Sequence, residues 1–269
     1  GQRACTSIVA RTADRTMLHA RNDDADATHL MRNLNVDLTW RTNGLLVART
    51  VQFAGFVGIY TGMAVSCTPL CTGFASLTSN QRLYQTYSVQ EWMGIVSAAS
   101  DAGPSGFKYR AALLENRPTS FGDVLSDVQA APLASSAYVI LSGSSPSDGA
   151  IVTRNFTTQD TLMLDDAHTT KYQSLPWALI QTNWDYNKPE PSNDPRRATA
   201  GKLLAAMGQT SGASVQGLLK VLSTESKGPR NASAPGATNG LLNVGTAFTS
   251  IVMPYNVTFG AYLRDSHGC

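Results

Sequence analysis

Segments with β-type patterns lie at both ends of this chain, and segments with helical patterns lie between them. Residues 35–40 alternate polar and apolar side chains, and Asn43-Gly44 separates them from a second run, Leu45–Phe53. Asn-Gly between two such runs is the strongest short-range signal of a β-hairpin. Near the other end, Thr246–Met253 and Thr258–Leu263 predict another hairpin. This order predicts antiparallel sheets covered by helices, an α+β architecture.

Apolar residues recur with helical spacing in the middle and in the last third of the chain. Ser88 and Glu91 form a capping-box pattern ahead of an apolar run. Asp194-Pro195 supplies a cap and a first residue for a later helix, which Gly208 is expected to end. Further helices are predicted at 107–116, Phe121–Ala130 and 214–222, and further strands at 137–142, 150–154, 161–164 and 178–182.

Length and charge exclude several classes of protein. The chain has 269 residues and a formal net charge of +2, whereas a nucleic-acid-binding protein is expected to carry a larger basic excess. No run of about 18 apolar residues is present, so no membrane-spanning helix is predicted. The chain starts without methionine or a signal sequence, which predicts that it is a trimmed product of a longer chain.

The cysteines and glycosylation sequons bear on the cellular compartment. The four cysteines are Cys5, Cys67, Cys71 and Cys269. The spacing of Cys67 and Cys71 favours a small disulfide loop, with a pair of metal ligands as the alternative. Three N-x-Ser/Thr sequons begin at Asn155, Asn231 and Asn256. Because chance gives about one or two in a chain of this length, they indicate a secreted or lysosomal protein.

The residues with the clearest chemical meaning lie near the start of the chain. Cys5 precedes a short apolar run, and Arg21 and Asp24 follow it by 16 and 19 positions. Two strands joined by a turn around residues 13–15 would bring both side chains back beside the cysteine. An arginine there favours a thiolate, and an aspartate can hold a cation in place.

Several motifs in register carry a resemblance to a known family. They are CTSIVA at 5–10, HARNDD at 19–24, FAGFVG at 53–58, QTNWD at 181–185, NDPRR at 193–197 and YLRD at 262–265. Together they resemble the catalytic subunit of the acid ceramidase and N-acylethanolamine-hydrolysing acid amidase family, which are N-terminal-nucleophile hydrolases. The resemblance implies a four-layer α/β/β/α sandwich. It also implies one catalytic domain over residues 5–269, with residues 1–4 left from a propeptide or linker.

The resemblance also implies a role for each of five residues. Cys5 is the nucleophile, and its own α-amine, once free, is the general base. Asp24 orients that amine, and Arg21 lies near the thiolate. Asn183 offers its side-chain N–H to the oxyanion, and Arg196 completes the site from the first turn of a helix. Arg196 is preferred to Arg197 by the match to the family motif.

The same resemblance sets expectations for the activity and its partners. It implies hydrolysis of a fatty-acyl amide, either an N-acylethanolamine or a ceramide, with no metal and no organic cofactor. It also implies cleavage between Ala4 and Cys5, a smaller N-terminal subunit from the same precursor, and peripheral contact with lipid membranes or micelles. The expected location is lysosomal or secreted, and no nucleic-acid partner is expected.

Some features keep other interpretations open. The amine of Cys5 is bound in a peptide bond as the sequence is written, and Gln81 stands where the family has a carboxylate. Both features favour a non-catalytic lipid-binding relative, and acyl transfer to an amine is a third possibility. His19 is expected to pack or to form hydrogen bonds within its strand. The Met and aromatic residues between positions 53 and 63 are expected in the core rather than in an acyl pocket.

Overall fold

Two antiparallel sheets form the centre of the molecule. The computed structural model describes residues 5–25, 28–67, 70–82, 103–155, 159–225, 240–243 and 245–263. The strands, in chain order, are β1 (Thr6–Arg11), β2 (Met17–Asp24), β3 (Asn35–Thr42), β4 (Leu45–Phe53), β5 (Thr61–Cys67), β6 (Cys71–Gln81), β7 (Ala137–Gly143), β8 (Gly149–Arg154), β9 (Gln159–Met163), β10 (Ala178–Gln181), β11 (Thr246–Met253) and β12 (Thr258–Leu263). The first sheet has the order β10-β1-β2-β11-β12, and the second runs from β3 to β9 in sequence order.

Helices cover the outer faces of both sheets. The helices are α1 (Thr28–Asn33), α2 (Ser105–Arg110), α3 (Phe121–Ala130), α4 (Arg196–Gly212) and α5 (Val215–Leu222). α1 is the exception to this arrangement, because its Met31 packs against the core cluster that holds Met63 and Phe248. A π-helical turn, Ala111–Glu115, continues α2, and two 3₁₀ turns follow at Leu164–Thr169 and Pro254–Asn256. α4 and α5 pack on the five-stranded sheet, whereas α2, the π-helical turn and α3 pack on the seven-stranded sheet.

Strand periodicity shows how the two sheets stack. In β7, Val139 and Leu141 belong to the core under the helices, while Ile140 belongs to the core between the sheets. β1 alternates in the same way, with Ile8 facing the helices and Val9 facing the second sheet. Strands buried on both faces in this manner require a layer on each side. The four-layer α/β/β/α sandwich is therefore confirmed.

Most predicted elements are confirmed, and their local causes are visible. Asn43 and Gly44 have φ values of 51° and 81°, the left-handed conformation that a tight two-residue hairpin needs. Ser120 accepts a hydrogen bond from the Asp123 backbone N–H, which completes a capping box at the start of α3. The predicted helix 107–116 is α2 together with the π-helical turn. The helix predicted from Ser88 and Glu91 lies outside the described residues.

The helix predicted to begin at Asp194-Pro195 and to end at Gly208 differs from the observed α4 at both ends. Asp194 makes no capping hydrogen bond to α4, because its carboxylate binds Trp184 and Arg196 instead. Gly208 has a φ of 68° and breaks the helical geometry, but helical turns resume and continue to Gly212. A glycine tolerates this conformation without cost from a Cβ atom, so it interrupts the helix rather than ending it.

The cysteine pair at 67 and 71 forms a disulfide that closes the β5–β6 hairpin. The disulfide alternative of the sequence analysis is thus confirmed over the metal-ligand alternative. Among the described residues, no group of His, Cys, Asp or Glu side chains could hold a metal ion. No helix in the described part of the chain is both long and apolar enough to cross a membrane.

Candidate active site

Cys5 lies directly before β1 and is almost completely buried. β1 pairs with β2 in a register that sets Thr6 opposite Asn22 and Ser7 opposite Arg21. The turn between the two strands thus returns the chain to the cysteine, as the sequence analysis predicted. Arg21 Nη2 lies 3.4 Å from Cys5 Sγ, so the guanidinium contacts the thiol directly.

The backbone of the second sheet holds Arg21 in place. Its Nη1 donates to the Tyr60 carbonyl at 2.5 Å and to Thr61 Oγ1 at 2.6 Å, and its Nη2 donates to the Ser79 carbonyl at 2.7 Å. Burial is the largest single effect and lowers the pKa of Arg21, but Asp23, Cys5 and Asp24 together outweigh burial, so the pKa is raised. The site therefore contains a fixed positive charge beside the sulfur.

The Cys5 thiol is protonated in this environment. Burial raises its pKa to about 11, and the favourable charge of Arg21 offsets only part of that rise. The carboxylates of Asp23 and Asp24 raise it further. A reaction at this sulfur consequently needs a nearby group that removes the thiol proton.

Two adjacent carboxylates adopt different positions around the cysteine. The Asp24 carboxylate accepts hydrogen bonds from Thr246 Oγ1 at 2.7 Å and from Asn243 Nδ2 at 2.9 Å. Asp24 faces the thiol with its backbone oxygen, which lies 3.9 Å from Cys5 Sγ. Burial raises the pKa of Asp24 to about 6. Asp23 Oδ1 lies 3.6 Å from Cys5 Sγ.

Sequence reasoning missed Asp23, although one signal could have found it. Continuing the β1–β2 register by one residue beyond the Thr6–Asn22 pair sets Cys5 opposite Asp23. Residues directly opposite on paired strands point to the same face of a sheet. The register therefore places Asp23, rather than Asp24, on the face of the thiol.

Arg196 connects the cysteine to the other side of the site. Its Nη1 donates to the Cys5 carbonyl at 2.9 Å, and its Nη2 donates to Asn183 Oδ1 at 3.0 Å. Asp194 accepts from Nε at 2.6 Å and from Nη2 at 2.9 Å, a bidentate pair that compensates the cation at the start of α4. Arg197 points elsewhere and donates to the backbone carbonyls of Asp185 and Lys188.

Asn183 follows β10 and is completely buried. Its Nδ2 donates to the Gln81 carbonyl at 2.7 Å. An amide nitrogen carries two hydrogens, so one N–H of Asn183 is available for a further acceptor. The structure thus brings all five predicted site residues together, with Asp24 facing Cys5 through its backbone rather than its carboxylate.

A cavity of about 410 Å³ opens next to the sulfur. Its walls are formed by Cys5, Arg21, Asp23, Phe53, Tyr60, Ser79, Gln81, Arg82, Ser105, Ser135, Ser136 and Ala137. Met63 belongs to the core as expected. For Phe53 and Tyr60 the expectation of a core position holds only in part. Both side chains pack against the core, but they also line this cavity.

The sequence analysis also singled out His19 and Gln81. His19 forms hydrogen bonds with Ser76 Oγ at 2.9 Å and Thr78 Oγ1 at 3.0 Å, so it is hydrogen-bonded as expected, but across to β6 of the other sheet rather than within its own strand. Gln81, which stands where the family has a carboxylate, lines the cavity. Arg82, the residue after it, pairs with Asp185 through contacts of 2.7 and 3.0 Å.

The stacked sheets and the cysteine at the start of a central strand define an α+β sandwich of the N-terminal-nucleophile hydrolase type. No protein-family model matches the chain. A solved Caenorhabditis elegans N-acylethanolamine-hydrolyzing acid amidase ortholog has the same fold, with a TM-score of 0.73 and 22% identity over 97% of this chain and 100% of that one.

Curated protein sequences similar to this chain are acid amidases and acid ceramidases. The chain is 30% identical to the N-acylethanolamine-hydrolyzing acid amidase of Cavia porcellus, over 81% of this chain and 57% of that protein. It is 28% identical to the acid ceramidase of Rattus norvegicus, over 97% of this chain and 62% of that protein. The chain is therefore similar in sequence to acid amidases and acid ceramidases, and it spans somewhat more than half the length of these relatives.

Proposed function

We propose that this chain is the catalytic part of an amidase that hydrolyses fatty-acyl amides through an acyl-enzyme on Cys5. The observation that carries the proposal is the buried Cys5 thiol at the cavity wall, with Arg21 3.4 Å from its sulfur. The relatives support the substrate class, because one is named for N-acylethanolamines and the other for ceramides. Both of these substrates are fatty-acyl amides.

The proposed reaction uses the residues around the sulfur in sequence. The free α-amine of Cys5 takes the thiol proton, since a thiol whose pKa is raised by burial needs an adjacent general base to become a nucleophile. The sulfur then attacks the amide carbonyl, and Arg21 stabilises the negative charge on sulfur before the attack. Asn183 donates its available N–H to the oxyanion. The amine product leaves, and water releases the fatty acid from the thioester.

Asp24 and Arg196 support this site from outside the cavity. Asp24, held by Thr246 and Asn243, is proposed to orient the amine of Cys5. Arg196 fixes the Cys5 carbonyl and the Asn183 amide at once. A site held by such hydrogen bonds needs little reorganisation when charge develops in the transition state. No metal or organic cofactor has a part in these steps.

The amine must be released before it can act as a base. We propose cleavage between Ala4 and Cys5, in which the Cys5 thiol attacks the Ala4 carbonyl and water hydrolyses the resulting thioester. A smaller N-terminal subunit from the same precursor is the proposed partner, and membranes or micelles are the proposed source of substrate. The three sequons and the disulfide support a lysosomal or secreted location.

The test compares the unaltered chain with a Cys5→Ala variant. Both are incubated with N-palmitoylethanolamine and with a ceramide, and fatty-acid release is measured. We expect release by the chain once it begins at Cys5, and none by Cys5→Ala. Binding of both lipids without any release would instead support a lipid-binding relative. Transfer of the acyl group to an added amine in preference to water would support an acyltransferase.

A further inference from the structure

We propose that Asp23 is a catalytic residue of maturation, the base that accepts the Cys5 thiol proton when the peptide bond before Cys5 is cleaved. This inference rests on the proposed function, which includes that cleavage. While the amine of Cys5 is bound in a peptide bond, it cannot act as a base. The thiol nevertheless has to lose a proton, because burial keeps it in the neutral form.

Geometry selects Asp23 for this task. Its Oδ1 lies 3.6 Å from Cys5 Sγ, and the thiol is directed at it as a hydrogen-bond donor. Arg21 Nη2 lies 3.3 Å from the same Oδ1, so one guanidinium contacts both the base and the nucleophile. The Asp23 side chain is only 10% exposed and forms part of the cavity wall.

The neighbouring carboxylate is placed for a different purpose. Asp24 uses its two oxygens on Thr246 and Asn243 and presents only its backbone oxygen to the sulfur. Because Asp23 and Asp24 are consecutive on β2, their side chains point to opposite faces of the strand. We therefore assign thiol deprotonation during maturation to Asp23 and leave the orientation of the free amine to Asp24.

The step balances without any added reactant except water. The thiol proton passes to Asp23 Oδ1 as the bond between Sγ and the Ala4 carbonyl carbon forms. The bond between that carbon and the Cys5 nitrogen then breaks, and Asp23 returns the proton to the nitrogen. Water hydrolyses the thioester, which leaves a carboxyl group on Ala4 and a free thiol and amine on Cys5.

The experiment follows the loss of residues 1–4 by intact mass in the unaltered chain and in an Asp23→Asn variant. General-base groups contribute about 10²–10⁴ in rate, so we expect cleavage to slow at least about a hundredfold. Asp37→Asn is the matched control, because Asp37 on β3 pairs with Arg49 on β4 and does not line the cavity. It should cleave at the rate of the unaltered chain.

A second variant separates a chemical role from a structural one. In Asp23→Ala, added formate can occupy the space beside Arg21 and act as the base, so we expect formate to restore part of the cleavage. Normal cleavage by Asp23→Asn would overturn the proposal. Absence of formate rescue in a folded Asp23→Ala chain would also overturn it, as would cleavage that depends on Asp24 and not on Asp23.

The amidase proposal is tested separately with a chain that a site-specific protease releases at Cys5. If that chain hydrolyses lipid amides but the unaltered chain never cleaves itself, the role of Asp23 is overturned and the amidase stands. If it hydrolyses no lipid amide, the amidase fails, while the cleavage rates of the variants still decide the role of Asp23.

Discussion

Arg196 Nη2 donates a 3.0 Å hydrogen bond to the Oδ1 atom of Asn183. This contact determines which end of the amide faces which neighbour, since a guanidinium can only donate. Asn183 Nδ2 is thereby directed to the Gln81 carbonyl and keeps one N–H for a further acceptor. The bidentate pair between Arg196 and Asp194 in turn holds the guanidinium. The Asn183 amide, the proposed oxyanion donor, is therefore held in one orientation.

The first prediction concerns Asn183. Asn183→Ala removes the proposed oxyanion donor, and loss of one such donor typically lowers kcat by about 10²–10³. We expect that loss in the released chain with little change in KM. Asn187→Ala, at an exposed position in the same loop, serves as control and should keep its kcat. A near-normal kcat in a folded Asn183→Ala enzyme would remove Asn183 from the mechanism.

The second prediction separates the two consecutive arginines at the start of α4. Lysine keeps the charge but loses the planar fork of donors, so Arg196→Lys should lower kcat about tenfold or more. Arg197 donates to the carbonyls of Asp185 and Lys188, so Arg197→Lys should mainly lower the free energy of unfolding. Activity per folded molecule and urea unfolding measure the two effects. The reverse order would show that the roles are exchanged.

The third prediction concerns pH and His19. Burial, with a smaller contribution from the charge of Arg21, lowers the pKa of His19 from 6.5 to about 3. The native state therefore binds fewer protons here than the unfolded state, and stability from this group is lost as pH falls from 6.5 toward 3. Urea unfolding of His19→Gln should show a shallower loss of stability across that range. Equal slopes for both proteins would contradict the assignment.

The fourth prediction concerns the acyl chain. Phe53 and Tyr60 on the cavity wall offer apolar surface beside Cys5. Each buried methylene contributes about 0.8 kcal/mol, so kcat/KM should rise about fourfold per added carbon until the cavity is filled. The measurement is kcat/KM for a series of saturated N-acylethanolamines. Equal kcat/KM values for acetyl and palmitoyl amides would contradict a lipid amidase.

Local sequence signals predicted much of the fold. The Asn43-Gly44 hairpin, helix α3 and the β11–β12 hairpin depend on neighbouring residues, so their patterns are visible in the sequence. Gly208 was expected to end its helix, but a glycine at positive φ can also interrupt a helix that then continues, as this one does to Gly212.

The candidate site was also predictable only in part from the sequence. The return of β2 toward Cys5 follows from two short strands and a turn, so Arg21 was predictable. The partner of Arg82 lies more than a hundred positions away, at Asp185, and no spacing rule connects the two. The position of Asp23 beside the thiol follows from the register of β1 and β2. The family motif was matched at Asp24 and carries no information about that register.

The most direct test of the account is a search for the covalent acyl-enzyme. The released chain is mixed with N-palmitoylethanolamine, quenched in acid during turnover and digested, and the peptides are analysed by mass spectrometry. The account predicts a palmitoyl group on the peptide that begins at Cys5, sensitive to hydroxylamine as a thioester is. Turnover with the acyl group on another residue, or by a chain that still begins at Gly1, would contradict it.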